Sequence, residues 1–475
     1  MNSSLPLCVD LDGTLLATDC LWESFIQGLK QNPFIVFLVP VWLMKGKAHL
    51  KNQLAKYADF DVDSLPENPH FLNWLAEQVL KEREIYLVSA SDQTLVSAVA
   101  EEFGIFKEAI GSRAGLNLRG RNKSDYLVER FGEGEFDYVG NDSSDLPIWE
   151  KSHSAIMVHP NRRLEKLVPK ENRLVIMEDR PRVAVAFLKA IRPHQWMKNL
   201  LIFVPLLTAH VWHRSDAWVA ALLAFVSFSF CASAVYLIND LTDLKSDRLH
   251  KTKRNRPFAS GALPFYYGLI GSPFLLAFSF LIMVFANYQF GMPVLAVYFI
   301  STCLYSFWVK QVAGVDIVFL AGLYTIRLVL GASVVEVEIS DWLLAFSMFF
   351  FLSLALAKRF SELYNIKEEN RSKVVGRGYL TIDLNLMAML GSSSGYLSIL
   401  VLALYVSGET VANLYNHPKW ILLICPIMLC WVTRLWLVTH RGAMDEDPIS
   451  FAMKDAFSYG TLLLIGVIAF LASPI

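Results

Sequence analysis

The sequence has no cysteine pattern that carries chemistry. Its six cysteines, Cys8, Cys20, Cys231, Cys303, Cys425 and Cys430, are scattered without a CxxC, which excludes a disulfide framework and a zinc site of ordinary spacing. A Walker loop, a GxGxxG turn and a zinc-spaced Cys/His set are also missing, and no nucleic-acid partner is expected. Charge is sparse, at 18% of residues against 54% hydrophobic, with a net charge of -1. A mean hydropathy of +0.39 is too high for an ordinary soluble protein. The first twenty residues are acidic rather than basic-then-apolar, so no cleavable signal peptide is expected. A length of 475 residues suggests two or three domains.

What is present is organised around Asn239-Asp240-Leu241-Thr242-Asp243-Leu244-Lys245-Ser246-Asp247, which closes a long apolar segment and opens a basic loop. On a helix, spacings of three and four put Asp240, Asp243 and Asp247 on one face. Three stacked carboxylates repel unless neutralised, and Mg²⁺ takes carboxylate oxygens together with substrate phosphates. Arg248, Lys251, Lys253, Arg254 and Arg256 follow at once. Acids and then bases at the edge of an apolar segment read as a metal–diphosphate site. The plainer reading is a charged helix end capping a membrane span.

Residues 1–180 differ from the rest. Short apolar runs (Leu5 to Val9, Ile85 to Val88, Phe136 to Val139, Ala155 to Val158) alternate with charged helical stretches, which predicts a parallel α/β sheet. Asp10 and Asp12 leave the carboxyl end of the first strand, where open α/β sheets place their sites. The first can be a nucleophile toward phosphorus and the second a general acid/base. The run Asp10-Leu11-Asp12-Gly13-Thr14-Leu15-Leu16 resembles the haloacid dehalogenase (HAD) superfamily, and three further segments follow in that family's order. The resemblance implies that Ser89 holds the transferring phosphoryl and Lys123 balances its charge. The acidic loop Asp137 to Asp145 would complete a Mg²⁺ site with Asp10 and Asp12. Asn141 stands where the family commonly has an acid, so Asn141, Asp142 and Asp145 are all candidates for the last ligand. Read alone, Ser89 is a strand cap, Lys123 a surface lysine and Asp145 a helix cap. The apolar run Phe34 to Met44 is too short to span a bilayer. It reads either as a buried helix of a small cap or as a cap helix dipping into a membrane surface.

Residues 159–182, with His159, Pro160, Arg162, Arg163, Arg180, Pro181 and Arg182, read as a linker leading to an interfacial helix, and residues 181–475 as a second domain. Apolar stretches of membrane length occupy 195–213, 217–238, 265–287, 291–308, 315–335, 342–357, 388–407, 418–438 and 456–473, about nine helices. Lys and Arg crowd the alternate loops 239–264, 309–314, 358–387 and 439–455, while Arg214 and Lys419 mark the other side. By the positive-inside rule, the N-terminal domain and the acidic stretch face the cytoplasm of an inner membrane. Arg327 lies mid-span, where an ionised side chain marks a site by default and a phosphate is a natural partner.

The Asn-Asp pair Asn239 and Asp240, followed by the acids Asp243 and Asp247, resembles the pattern of the UbiA superfamily of intramembrane prenyltransferases. Three further segments look like its decaprenyl-phosphate phosphoribosyltransferase branch: Arg192-Pro193-His194-Gln195-Trp196-Met197-Lys198-Asn199, Asp247 to Pro257, and Ala357-Lys358-Arg359-Phe360-Ser361-Glu362. The segment Arg441 to Pro448 looks like it too, without an assigned role. Where prenyl-diphosphate enzymes commonly carry a second DxxxD, this chain has Lys358, Arg359 and Glu362, with Glu368 and Glu369 later. The resemblance implies a HAD-like α/β domain with a small helical cap, fused to a UbiA-like all-α polytopic membrane domain. It implies Mg²⁺ in both. The substrates would be phosphoribosyl diphosphate (PRPP) and a polyprenyl phosphate, bound by Asn239, Lys198, Lys251, Lys253, Arg254, Arg256, Lys310, Arg327, Lys358, Arg359 and Glu362, with Tyr305 beside them. The HAD-like domain would remove the 5-phosphate of the product, in a cell-wall or other glycan pathway. PRPP use rests on this resemblance, since the strand, two acids and Thr-rich loop of soluble phosphoribosyltransferases are not visible. Two alternatives stand. One is transfer of a polyprenyl chain from its diphosphate to an aromatic or other acceptor. The other is a lipid-binding or transport protein with a regulatory HAD domain.

Overall fold

Leu7, Cys8 and Val9 are fully buried and form β1, the centre of a six-stranded parallel sheet in the computed structural model. The structure describes the chain apart from residues 1–4, 33, 58–61, 114–115, 161, 170–172, 177–181, 287, 369–376, 409–410, 412–413, 445–446 and 474–475. The strands are β1 (Leu7–Val9), β2 (Ile85–Asp92), β3 (Glu108–Ser112), β4 (Asp137–Gly140), β5 (Ala155–Val158) and β6 (Arg173–Ile176), in the order β3-β2-β1-β4-β5-β6. Side chains alternate across a strand. Leu7, Val9, Val139, Ile156 and Val158 therefore enter one apolar cluster, and Cys8, Tyr138, Ala155 and Met157 enter the other. Both faces are covered, as an all-parallel sheet requires. At the amino end, Arg83 is buried, pairs with Asp137 and donates through Nε to the Leu5 carbonyl at 2.8 Å.

Between β1 and β2 the chain inserts α1 (Cys20–Gln31), α2 (Ile35–Met44), α3 (Lys47–Ala55) and α4 (Pro69–Leu80). Asp19 caps α1 by accepting from Leu21 N at 2.9 Å. The small helical cap is present, but α2 is not buried. Only Ile35, Val39 and Trp42, spaced by four and three, pack with Leu50 and Leu54 of α3. Phe34, Phe37 and Met44 are 71%, 73% and 88% exposed. One correction concerns the expected linker. Within 159–182, Arg173–Ile176 forms β6 and pairs in parallel with β5. Its three apolar residues were hidden by charged, Pro-rich flanks; Arg180 and Pro181 lie outside the described residues.

Two units are distinguished: Met1–Ala190 with Ile238–Leu269, and Ile191–Leu237 with Ile270–Ile475. The acidic stretch therefore groups with the α/β unit. Six helices are long and apolar enough to cross a membrane: Ser215–Thr242, Phe265–Phe285, Val315–Val335, Asp341–Glu368, Thr381–Val406 and Pro418–His440. This is a multi-pass membrane protein. The expected spans at 291–308 and 456–473 are helices Gly291–Phe307 and Ala456–Ala472, each of 17 residues, the lower limit for spanning. The expected first span departs. Arg192 has φ +54° and Pro193 opens a 3₁₀ helix, Pro193–Phe203, followed by the short helix Val204–Thr208. It lies close against Val315–Val335, where a Cβ on Gly331 would sit 2.1 Å from the Ile202 carbonyl oxygen. Only glycine permits that approach.

Candidate functional sites

The sheet order places the change of strand direction at β1, with β2 and β4 on either side, so a site is expected beyond its carboxyl end. Asp10 follows β1, with its Oδ1 accepting from Lys123 Nζ at 2.8 Å. Lys123 is buried on helix Arg121–Phe131, and it also donates to Tyr138 Oη at 2.8 Å. Tyr138 donates to Asp145 Oδ1 at 3.0 Å. Burial pushes the Asp10 carboxyl up to about 7, against the pull of Lys123 and with that of Asp145 and Asp12. Asp12 accepts from Cys20 N at 2.8 Å and from Ser91 Oγ at 2.6 Å. Ser89 is fully buried, and its hydroxyl oxygen accepts from Ser91 N at 3.0 Å.

The three candidates for the last ligand part company. Asp145 Oδ2 accepts from the N–H groups of Asn141 and Asp142, both at 3.0 Å, so this carboxylate shapes the loop. Asp142 is exposed and sits beside Ser143 and Ser144. Asn141 lies over the nucleophile turn, where a Cβ on Gly13 (φ +76°) would meet its Nδ2 at 2.1 Å. Two residues of this site were not read from the sequence. Lys51 of α3 donates to the Ala90 carbonyl at 2.5 Å. Burial lowers its pKa against the pull of Asp12 and Asp19. Tyr138 links Lys123 to Asp145.

In the same unit, Asn239 and Asp240 stand at the end of helix Ser215–Thr242. The helix does not run on through the acids as one piece. Asp243 leaves helical geometry (φ -99°, ψ 12°) and caps a new helix, Leu244–Arg248. Asp240 and Asp247 are buried and meet at one guanidinium: Arg256 Nη1 lies 3.2 Å from Asp240 Oδ1 and 2.6 Å from Asp247 Oδ2. Burial raises the Asp247 carboxyl to about 6; Arg256 opposes this, while Asp240 and Asp243 add to it. Lys251 and Arg254 are exposed and Lys253 half-buried. Arg248 pairs with Glu23 of α1 and donates to the Ala259 carbonyl at 3.1 Å.

Among the described residues, no three His, Cys, Asp or Glu side chains converge to hold a metal ion by themselves. Neither expected acid trio forms a closed cage. Both sets nonetheless suit Mg²⁺, which completes its shell with water and substrate phosphate. Arg256 already bridges two buried acids that require a counter-charge, and the buried Oδ1 of Asn239 has no hydrogen-bond partner.

The second unit holds three further groups. Arg359 is buried; it donates through Nε to Asp316 at 2.7 Å, through Nη1 to Glu362 at 2.6 Å, and through Nη2 to the hydroxyl of Tyr305. Arg377 also donates to Tyr305 Oη, at 3.0 Å, and Tyr379 donates to Asp316. Asp316, Arg377 and Tyr379 were missed. An acid opening an apolar span was the available signal for Asp316. Lys198 pairs with Asp447, which caps helix Pro448–Ala452, and both line a cleft of about 450 Å³ with His194 and Lys454. Burial would raise the Asp447 carboxyl, but Lys198 and Lys358 outweigh it and hold it below the usual range. The segment 441–448 thus gains a role as the partner of Lys198. Arg327 is engaged inside the protein: Nε donates to Asn199 Oδ1 at 2.9 Å and Nη1 to the Leu323 carbonyl, among the rings of Phe228, Tyr298 and Tyr324. Lys310 lies half-buried on the short 3₁₀ turn Val309–Gln311.

The model of the UbiA prenyltransferase family matches residues 200–470. The uncharacterized protein y4nM of Sinorhizobium fredii is 36% identical over 463 residues, which is 96% of this chain and 89% of that one. Nodulation protein NoeC of Azorhizobium caulinodans is 33% identical over 59% of this chain and 90% of its own length. Decaprenyl-phosphate phosphoribosyltransferase of Mycolicibacterium smegmatis is 36% identical over 193 residues, covering 39% of this chain and 59% of that protein.

Proposed function

This chain belongs to the UbiA prenyltransferase family and is an enzyme of transferase type, and from that premise we propose that it transfers 5-phosphoribose from PRPP to a polyprenyl phosphate. In this reading an oxygen of the lipid phosphate, already anionic, attacks the anomeric carbon of the ribose. The bond from that carbon to the diphosphate oxygen breaks, and diphosphate leaves with the electron pair. Asp240, Asp247 and Asn239 would hold Mg²⁺, which would supply charge neutralisation for the leaving diphosphate. Arg256, which meets both acids, would bind an oxygen of the diphosphate. The basic residues Lys251, Lys253 and Arg254 draw the soluble donor to the cytoplasmic face.

The observation that carries the choice of donor is the state of Arg359. A prenyl-diphosphate enzyme needs a second acidic metal site. Here the acids nearest that place, Asp316 and Glu362, are both bound to a buried arginine. The match to the mycobacterial phosphoribosyltransferase supports the same choice.

The α/β unit then acts as the phosphatase for the product. Asp10 attacks the phosphorus of the 5-phosphate, Asp12 gives a proton to the departing ribose oxygen, and an aspartyl-phosphate forms. Water attacks that phosphorus, Asp12 takes its proton, and inorganic phosphate leaves. Ser89 and Lys123 hold the phosphoryl oxygens, and Asp10 and Asn141 would hold a Mg²⁺ that would supply further counter-charge to them. Purified wild type and Asp10→Asn, incubated with labelled PRPP and polyprenyl phosphate, test both halves. The variant accumulates phosphorylated lipid-linked ribose and the wild type its dephosphorylated form. Identical products from both refute the coupling, and no labelled lipid refutes the transfer.

A further inference from the structure

Helix α2 reads Ile-Val-Phe-Leu-Val-Pro-Val-Trp-Leu-Met and is apolar on every side. A helix of that kind belongs in a core or in lipid. Its side formed by Ile35, Val39 and Trp42 is used against α3, yet Phe34, Phe37, Leu38, Val41 and Met44 stay exposed. Spacings of three, four and three place Phe34, Phe37, Val41 and Met44 on one stripe, and Leu38 joins it four residues after Phe34 and three before Val41. Lys45 and Lys47, both exposed, stand at the end of the stripe. Ten residues cannot cross a bilayer, but they can lie in its surface.

The position of α2 on the cap adds to this. The next helix, α3, reaches the carboxyl end of β2, where Lys51 meets the Ala90 carbonyl and Asn52 donates to Asp92 at 3.2 Å. Asp10 and Asp12 lie at that same end of the sheet. The unit also contains residues 238–269, the segment that joins two candidate spans, so chain connectivity keeps it beside a bilayer.

We propose that α2 lies in the membrane interface, with its exposed stripe among acyl chains and Lys45 and Lys47 at anionic headgroups, so that the Asp10 site takes a membrane-resident phosphate monoester in preference to a soluble one. The occupant is a lipid surface; the substrate half of the statement rests on the phosphatase reading above.

The test uses the full-length protein in liposomes of phosphatidylethanolamine and phosphatidylglycerol. A photoreactive phenylalanine analogue is placed at position 37, at position 44 or, as control, at Lys81, which precedes the amino end of β2. Lipid adducts are expected at 37 and 44 and only at background level at 81. Adducts at 37 and 44 no more frequent than at 81 overturn the proposal, as do cross-links to a second copy of the chain. A second arm compares wild type with the Phe37→Asp/Met44→Asp variant, which changes exposed side chains only. Hydrolysis of the lipid-linked phosphate should fall at least about tenfold, while p-nitrophenyl phosphate hydrolysis stays within about twofold. An equal effect on both substrates, or none on either, overturns the substrate preference. If wild type hydrolyses neither substrate, the phosphatase reading fails and the adducts still decide the membrane contact.

Discussion

Arg256 is the counter-charge of the acidic stretch, and removing it should move two binding constants in opposite directions. Its Nη1 lies 2.6 Å from Asp247 and 3.2 Å from Asp240, whose side chains are 5% and 1% exposed, while its own is 26% exposed. A hydrogen bond to a charged group contributes about 1.5–3 kcal/mol. Only the shorter contact is well placed, and partial exposure screens the arginine, so the loss is about 2 kcal/mol. In Arg256→Ala the two acids lose this shared guanidinium, so Mg²⁺ should bind about tenfold more tightly by half-saturation of transfer. The diphosphate loses its arginine, so the KM for PRPP should rise about thirtyfold. Arg256→Lys keeps the charge but loses the planar fork, and should fall between the two on both scales. Steady-state transfer rates across a grid of Mg²⁺ and PRPP concentrations separate the constants. Parallel weakening of both would refute the argument, because it would mean that Arg256 supports the fold of the loop and does not compete with the metal.

Three further outcomes follow from particular contacts. Arg83→Ala leaves Asp137 buried without its partner and should destabilise the α/β unit by about 3–5 kcal/mol, whereas Arg83→Leu/Asp137→Leu should recover most of it; thermal unfolding of the purified protein checks both, and equal losses would sink the reading. Asp10 titrates near 7 because burial disfavours its charge. Below that pH it holds a proton and above it is a carboxylate, so the apparent Mg²⁺ affinity of the phosphatase step should weaken by about tenfold per unit as pH falls below 7. A flat dependence between pH 5 and 7, measured by metal titration of that step, would contradict it. Asn199→Leu strands the buried Nε of Arg327 and should lower thermal stability by about 3 kcal/mol, and adding Arg327→Met should restore it. If the restored double variant is folded but inactive, Arg327 serves substrate after all.

The α/β fold could be read from the sequence because it is written in short periods. Alternation in Leu7, Cys8 and Val9 and in Ala155 to Val158 fixes faces within four residues, and a turn with two acids marks the end of a strand. The candidate residues Asp10, Asp12 and Lys123 could be picked out for the same reason, since each stands close to a strand or helix end that local pattern reveals; Ser89, expected to end its strand, lies inside Ile85–Asp92. β6 was not, because its three apolar residues lie in a charged, Pro-rich stretch and owe their pairing to β5. The first expected span failed for a different reason. Hydropathy counts apolar residues, but Pro193, Pro205 and the left-handed Arg192 decide the backbone, and the result is a 3₁₀ segment fitted against Gly331.

The interior of the membrane unit was the least legible, since its polar groups find partners far away in sequence. Arg327 and Asn199 are separated by 128 positions, Arg359 and Asp316 by 43, and Lys198 and Asp447 by 249. No local motif encodes such pairs, because what requires them is the high free-energy of an unpaired charge in a low-dielectric interior. That same requirement separates the charged residues by task. Arg359, with Asp316 and Glu362, and Arg327, with Asn199, are satisfied by protein, so their removal should first disturb folding. Asp240 and Asp247 share one partly exposed guanidinium, and Asp247 is left with a raised pKa. Exchange of that guanidinium for a metal ion is what the proposed metal–diphosphate site requires of this pair.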